Sequence, residues 1–156
     1  MFRVLNEKES IALLMLNYIG NLSYIFREKP FVVPITYFFD LANNVIIGYS
    51  AEGHKINAMR KNNNVSLSVS DLESINDWKS VLAHGTFQEL SGSAAKAKLH
   101  QFSLGVKDLI INKEHRKLDY ISEFSSKIDK DQMPVVFQIK VNEITGRMRM
   151  RHTSED

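Results

Sequence analysis

Leu22-Ser23-Tyr24-Ile25-Phe26, then Arg27-Glu28-Lys29-Pro30, then Phe31 through Asp40 is the stretch that decides the fold. Two runs rich in β-branched and aromatic residues flank a polar, proline-bearing turn, as antiparallel strands require. Asn43-Asn44 predicts a second turn, because Asn tolerates the left-handed backbone of tight turns. Val45 to Ser50 is then a third strand, and the three form a meander. Further on, Val65-Ser66-Leu67-Ser68-Val69-Ser70 alternates apolar and hydroxyl residues, so one face meets a core and the other is polar. Ser80 to Leu90 is a long strand with Gly85 inside it, which marks a bulge, a sharp bend or a ligand close to the backbone. Val135 to Val141 returns to strand after Pro134, and Ile144-Thr145-Gly146-Arg147 continues or turns from it.

Helical signals punctuate these strands. Asn6 followed by Glu9 has the spacing of a capping box, Ile11, Leu14 and Tyr18 follow at helical intervals, and Gly20 offers a stop. His54 to Asn62 reads as a short helix with Ile56 and Met59 facing inward. From Ser93 to about Ser126 the chain turns mostly helical, with Ser93 as a cap and a second helix between Lys113 and Phe124. Short turns between strands, with few crossover helices, predict a mainly β fold: a six-stranded antiparallel barrel with flanking helices. A single domain over residues 1–156 is expected, with about 147–156 as a candidate flexible tail.

Bulk properties narrow the function classes. With 156 residues the chain can build one real core. The absence of cysteine excludes disulfides, thiolate metal sites and a cysteine nucleophile. A net charge of +2 is too mild to point to nucleic acid. No apolar run is long enough to cross a bilayer, and the first residues lack the pattern of a signal peptide, so a cytoplasmic address is expected. None of the five histidines pairs with another ligand at a recognised metal spacing, so no metal is expected. Neither a Gly-x-Ser-x-Gly elbow nor a placed carboxylate pair is present, so no residue is assigned a catalytic role.

The best local candidate for chemistry is Gly48-Tyr49-Ser50-Ala51-Glu52-Gly53-His54-Lys55, which joins a strand end to a helix start. Such a junction offers unpaired N–H groups and the positive end of a helix dipole, which suit a phosphate. Lys55 adds a charge, Ser50 a hydroxyl, and Gly53 room for close approach. On local chemistry alone, a plain strand-to-helix turn with a solvated lysine accounts for the segment at least as well. Arg147, Arg149 and Arg151 alternate with Met148 and Met150, which on an extended chain places three guanidinium groups on one face. They are either an anion contact or a solvated terminal strand.

Several segments then fall in a meaningful order: Ile19-Gly20-Asn21-Leu22, Val32-Val33-Pro34-Ile35-Thr36-Tyr37, Ile47 to Ile56, Trp78-Lys79-Ser80-Val81 leading to Gly85, and Ile144-Thr145-Gly146-Arg147. Over residues 6–147 this order resembles the pyridoxamine 5′-phosphate oxidase-like flavoproteins, in particular the nitroimidazole-resistance-type branch. The resemblance implies a split β-barrel that forms a homodimer, with FMN held in grooves between subunits. It implies that Pro34, Ile35, Thr36 and Tyr37 line the flavin ring system. Tyr49 and Ser50 would lie near the ribityl chain and phosphate, His54 and Lys55 would hold the phosphate, and Ser80 would make a polar flavin contact. Arg147 lies in the region where true oxidases bind substrate, but the surrounding pattern differs, so vitamin B6 synthesis is not predicted. Many relatives carry a histidine where this chain has Tyr49. The expected activity is an FMN-dependent oxidoreductase acting on a small planar acceptor. The alternatives are a flavin carrier or redox sensor without turnover, or the same fold holding haem or a deazaflavin.

Overall fold

A computed structural model of the chain describes residues 1–114 and 134–151. The second helix expected between Lys113 and Phe124 falls almost wholly outside the described residues. The element order is β1 (Phe2–Val4), α1 (Glu7–Met15), β2 (Ile19–Phe26), β3 (Lys29–Thr36), β4 (Phe38–Asp40), β5 (Val45–Ser50), α2 (His54–Lys61), β6 (Asn64–Ser74), β7 (Asp77–Leu90), α3 (Gly92–Glu114) and β8 (Val135–Arg149). All strand pairs are antiparallel, in the order β3-β2-β6-β7-β8-β5-β4, with β1 added to β8. The mainly β, antiparallel architecture with flanking helices is the one the sequence predicts. Two details differ: among the described residues there are eight strands rather than six, and the sheet they form does not close.

The extra strands have local causes. Phe31 to Asp40 is not one strand, because Tyr37 leaves the ladder: its N–H donates to the Tyr18 carbonyl and its hydroxyl to the Leu14 carbonyl. Tyr37 is fully buried there, and burial raises its phenol well above its ordinary pKa. The three residues of β1 are too few for a periodic signal, yet they pair with Met148 and its two neighbours. The helix ahead of β2 forms with the predicted capping box of Asn6 and Glu9, but it ends at Met15. Asn17 donates its side-chain amide to the Leu13 carbonyl, satisfying a terminal acceptor of α1. Gly20 therefore stops no helix. It lies in β2, where a Cβ would press on Leu67 of β6.

Strand β8 is the spine of the sheet. Along Val135–Lys140 it pairs with β5 on one side and β7 on the other, and along Arg147–Arg149 with β1 and β7. Arg147 and Arg149 are thus strand residues and not a frayed tail. Between these regions the β7–β8 register shifts at His84/Gly85, where Asn142 of β8 is the extra residue of a bulge opposite the glycine. A Cβ on Gly85 would collide with the Lys140 carbonyl oxygen, so the strands can approach this closely only with glycine there.

One sheet face, with α1 and α2, encloses a core built on Leu22, Tyr37, Ile46, Met59, Leu67, Val81 and Ile139. A second core seats α3 on β5 through Ile47, Leu99, Phe102 and Val136. The opposite face of β1, β2, β3, β6, β7 and β8 is left uncovered by the described residues. It carries Ile19, Val32, Leu72 and Leu82, together with Phe2 and Val4 at 67% and 72% exposure. β3 ends the sheet and carries Pro30 and Pro34.

Asp40, at the end of β4, is buried and ties the sheet to α3. It accepts from the Asn43 amide at 2.7 Å and from Lys98 at 3.0 Å. Burial opposes its ionisation, but hydrogen bonds from Asn43, Lys98 and Gln101 outweigh it and hold the carboxyl at about 2. Because the folded value lies below the unfolded one, the contribution is complete above about pH 4 and disappears as pH falls towards 2. Asp40→Ala should destabilise the fold by about 2–4 kcal/mol at pH 7, since it strands a partly buried lysine. Urea unfolding at pH 7 and pH 3 measures this, and the gap between wild type and variant should shrink at the lower pH.

Candidate functional site

The strand-to-helix junction after β5 keeps the character expected of it. α2 begins at His54 with Gly53 as its cap residue, and no side chain caps its first amides. The N–H groups of the first turn therefore stay available to an anion. Gly53 has φ 171°, an extended conformation open to any residue, and a Cβ placed there would meet no protein atom within 4 Å. The fold itself thus makes no demand for glycine at this position. Ser50 turns its hydroxyl back onto the Ala51 carbonyl at 2.9 Å, which leaves its oxygen free to accept.

Charge in the loop is sorted by Arg60, two turns along α2. Its guanidinium grips Glu52 through two bonds of 2.8 Å and also bonds Glu89 on β7. Hydrogen bonds to Glu89 and Glu52 favour the charged guanidinium, and the bond from Arg60 holds the Glu52 carboxyl below its usual range. The acidic residue of the loop is thereby held by a partner on α2, which it shares with Glu89. Lys55, half-buried, makes no ion pair among the described residues.

His54 is held by an aromatic cluster. Its Nδ1 lies 2.9 Å from the Tyr24 hydroxyl, and its ring stands edge-on to Phe26 and Phe31 at centroid distances of 4.8 and 4.9 Å. Tyr24 stacks on Phe31 in turn, so β2 and β3 together form the wall behind the imidazole. Neither the Arg60 clamp nor this wall was read from the sequence. The Tyr24-x-Phe26 spacing at period two was the available signal for the wall. A clamp between residues eight apart, with a third partner on a distant strand, has none.

The other predicted residues separate into three groups. Ser80 and Arg147 are cross-strand neighbours on the uncovered face, and Ser80 accepts from Ser70 at 2.9 Å. Pro34 and Thr36, paired with Asn21 and Ile19, lie on that same face. Beside them runs a groove of about 440 Å³ whose lining includes Ile19, Asn21, Ser68, Ser70, Asp71 and Lys113. Ile35 points the other way and packs on the core. Tyr37 is a core residue whose hydroxyl is committed to Leu14, so its side chain is not offered to a ligand. Tyr49 faces α3 and stands edge-on to Phe102 at 5.3 Å. Among the described residues no cluster of His, Asp or Glu could hold a metal.

Residues 6–148 match the family described as pyridoxamine 5′-phosphate oxidase, and the chain belongs to that family. It is similar to an uncharacterized protein of Rhizobium meliloti, 32% identical over 104 residues that cover 65% of this chain and 68% of that protein. Among solved structures it is similar to a FAD-binding protein of Mesorhizobium loti, with TM-score 0.72, 25% identity, and coverage of 95% of this chain and 98% of that one. A putative 5-nitroimidazole antibiotic resistance protein of Bacteroides thetaiotaomicron shares the fold at 15% identity, with TM-score 0.67 and coverage of 95% and 89%.

The clamp makes a prediction of its own. Exposed ion pairs add little to global stability, so Arg60→Gln should barely move the urea midpoint. It should nevertheless lower the backbone ¹⁵N order parameters across Glu52 to Lys55 by releasing the loop. Unchanged order parameters in that segment would show that the clamp does not hold it.

Proposed function

We propose that the chain is a cytoplasmic FMN-binding oxidoreductase that works as a homodimer and passes hydride or electrons to a small planar acceptor. The observation that carries the reading is the start of α2. It combines uncapped amides, a glycine the fold does not need, and a lysine without a carboxylate partner among the described residues, while the neighbouring Glu52 is held by Arg60. A phosphate monoester wants several charge-assisted donors converging on one point, and this junction supplies them. The family gives the phosphate its context.

When bound, the flavin supplies the redox chemistry, while the protein supplies binding, orientation and polarity. Lys55 and the first-turn amides would hold the phosphate, with Ser50 and His54 at its edge. His54 packs against Tyr24 and Phe31 on the core side of the sheet, while Ser80, Arg147, Pro34 and Thr36 lie on the uncovered side. Two chains paired through the uncovered face would bring both sets to one ligand. That face has the exposed apolar residues expected of an interface. Its groove, with Ser70 and Ser80 at the edge, would take the ring system and a planar acceptor. A monomer at micromolar concentration in sedimentation equilibrium would remove the shared groove.

One observation favours a second reading, a flavin carrier or redox sensor without turnover. Tyr49 stands where many relatives carry a histidine, and it is packed edge-on against Phe102. Turnover separates the two readings: purified protein given NADPH and a nitroaromatic acceptor should oxidise the reductant. If no acceptor drives oxidation, the carrier reading stands instead.

Cofactor identity is tested by releasing what copurifies and taking its spectrum and mass. FMN is expected, and haem or FAD would overturn that assignment. Lys55→Ala should weaken FMN binding by about 1.5–3 kcal/mol, or roughly 10- to 150-fold in Kd. Gly53→Ala should leave the unfolding midpoint in place and still weaken FMN. A Gly53 variant with full affinity would move the phosphate away from this loop.

A further inference from the structure

The family resemblance gives His54 a place in the site but says nothing of what governs its imidazole. We propose that Tyr24 is a positioning residue for His54: its hydroxyl fixes the neutral ring with the proton on Nε2. A neutral N–H donor is thereby presented at the first turn of α2, next to Lys55. The inference rests on the reading of this junction as the flavin phosphate site.

Tyr24 is a buried residue whose hydroxyl meets an exposed imidazole, so the bond between them is part-buried. Tyr24 is 4% exposed, and its hydroxyl bonds Nδ1 of His54 at 2.9 Å and no other described group. If the hydroxyl donates, one bond satisfies both the phenol proton and the Nδ1 lone pair. If Nδ1–H donated instead, the phenol proton would be left in a largely apolar wall without an acceptor, which is costly. A neutral imidazole carries one proton, so acceptance at Nδ1 places that proton on Nε2.

Ring orientation is fixed by the same wall. Phe26 and Phe31 stand edge-on to the imidazole, and Tyr24 stacks on Phe31 at 5.5 Å with an interplanar angle of 9°. Rotating the ring to exchange its nitrogens would break the one polar bond it makes there. The charged groups on the surrounding elements are Arg27 and Glu28 between β2 and β3, Lys29 at the start of β3, and Glu52, Lys55, Arg60 and Lys61 around α2. Arg27 and Lys61 lie over the Phe26 ring at 5.2 and 5.7 Å, and Glu52 is taken by Arg60. No carboxylate bonds His54 among the described residues. Tyr24 is therefore the group that selects the tautomer, and the donor it creates needs no charge on the imidazole.

The test has two arms at pH 8.5, where an ordinary imidazole is neutral. In the first, two-bond ¹H–¹⁵N spectra of the flavin-free protein should show His54 as the Nε2–H tautomer, and Tyr24→Phe should give a mixture. An Nδ1–H tautomer in the wild type, or an identical spectrum in Tyr24→Phe, overturns the proposal. In the second arm, Tyr24→Phe should weaken FMN roughly three- to tenfold. The same change made on top of His54→Ala should do nothing further. Equal losses in both backgrounds would make Tyr24 a packing residue only. Tyr24→Phe keeps the ring and its stacking, so folding is preserved. Should the wild type bind no FMN, the flavin reading falls, and the tautomer spectra still decide what Tyr24 does.

Discussion

The close approach of β7 and β8 at Gly85 is the constraint on which the rest of this structure depends. β8 serves three neighbours, and its register against β7 changes partway along. The bulge opposite Gly85 makes that change, and the missing Cβ is what lets the Lys140 carbonyl come near. From there the ladder towards Val135 carries β5 and therefore delivers the chain to the start of α2. In the other direction it aligns Ser80 with Arg147. Both halves of the candidate site are thus positioned by the same irregularity in one strand pair.

The sequence made the local parts of this structure legible and the non-local parts only through resemblance. Asn6 and Glu9 cap α1 as their spacing requires, Asn44 takes the left-handed turn conformation, and β5 spans the predicted residues. These features depend on interactions a few residues apart. Tyr37 misled because a β-forming residue in a β-forming run was captured by two carbonyls from the chain preceding β2, which no window in sequence contains. Gly20 misled for a related reason: its glycine answers to Leu67, nearly fifty residues away, and not to the helix before it.

The same distinction runs through the candidate site. Lys55 and Gly53 could be proposed from the strand-to-helix junction alone, because an anion site at a helix start is a local arrangement. What a local reading misses is that Glu52 bonds Arg60, which also bonds Glu89 on distant β7, so the loop's carboxylate is not paired with Lys55. Alternation along β3 divides the four consecutive residues Pro34 to Tyr37 among the uncovered face, the core and a buried bend. A contiguous motif is not a contiguous surface once it is a strand.

The prolines of β3 also limit how this protein can associate. Pro30 and Pro34 both pair with β2, so the N–H that each lacks is one that would have pointed away from the sheet. Two donors four residues apart are therefore missing from the exposed rim of the strand, and an incoming strand would find no regular ladder to extend. Open-ended, fibre-like growth along this rim is disfavoured by the covalent structure of the chain itself. The uncovered sheet can still stack broadside against another surface, a contact that two molecules can complete without leaving a site for a third.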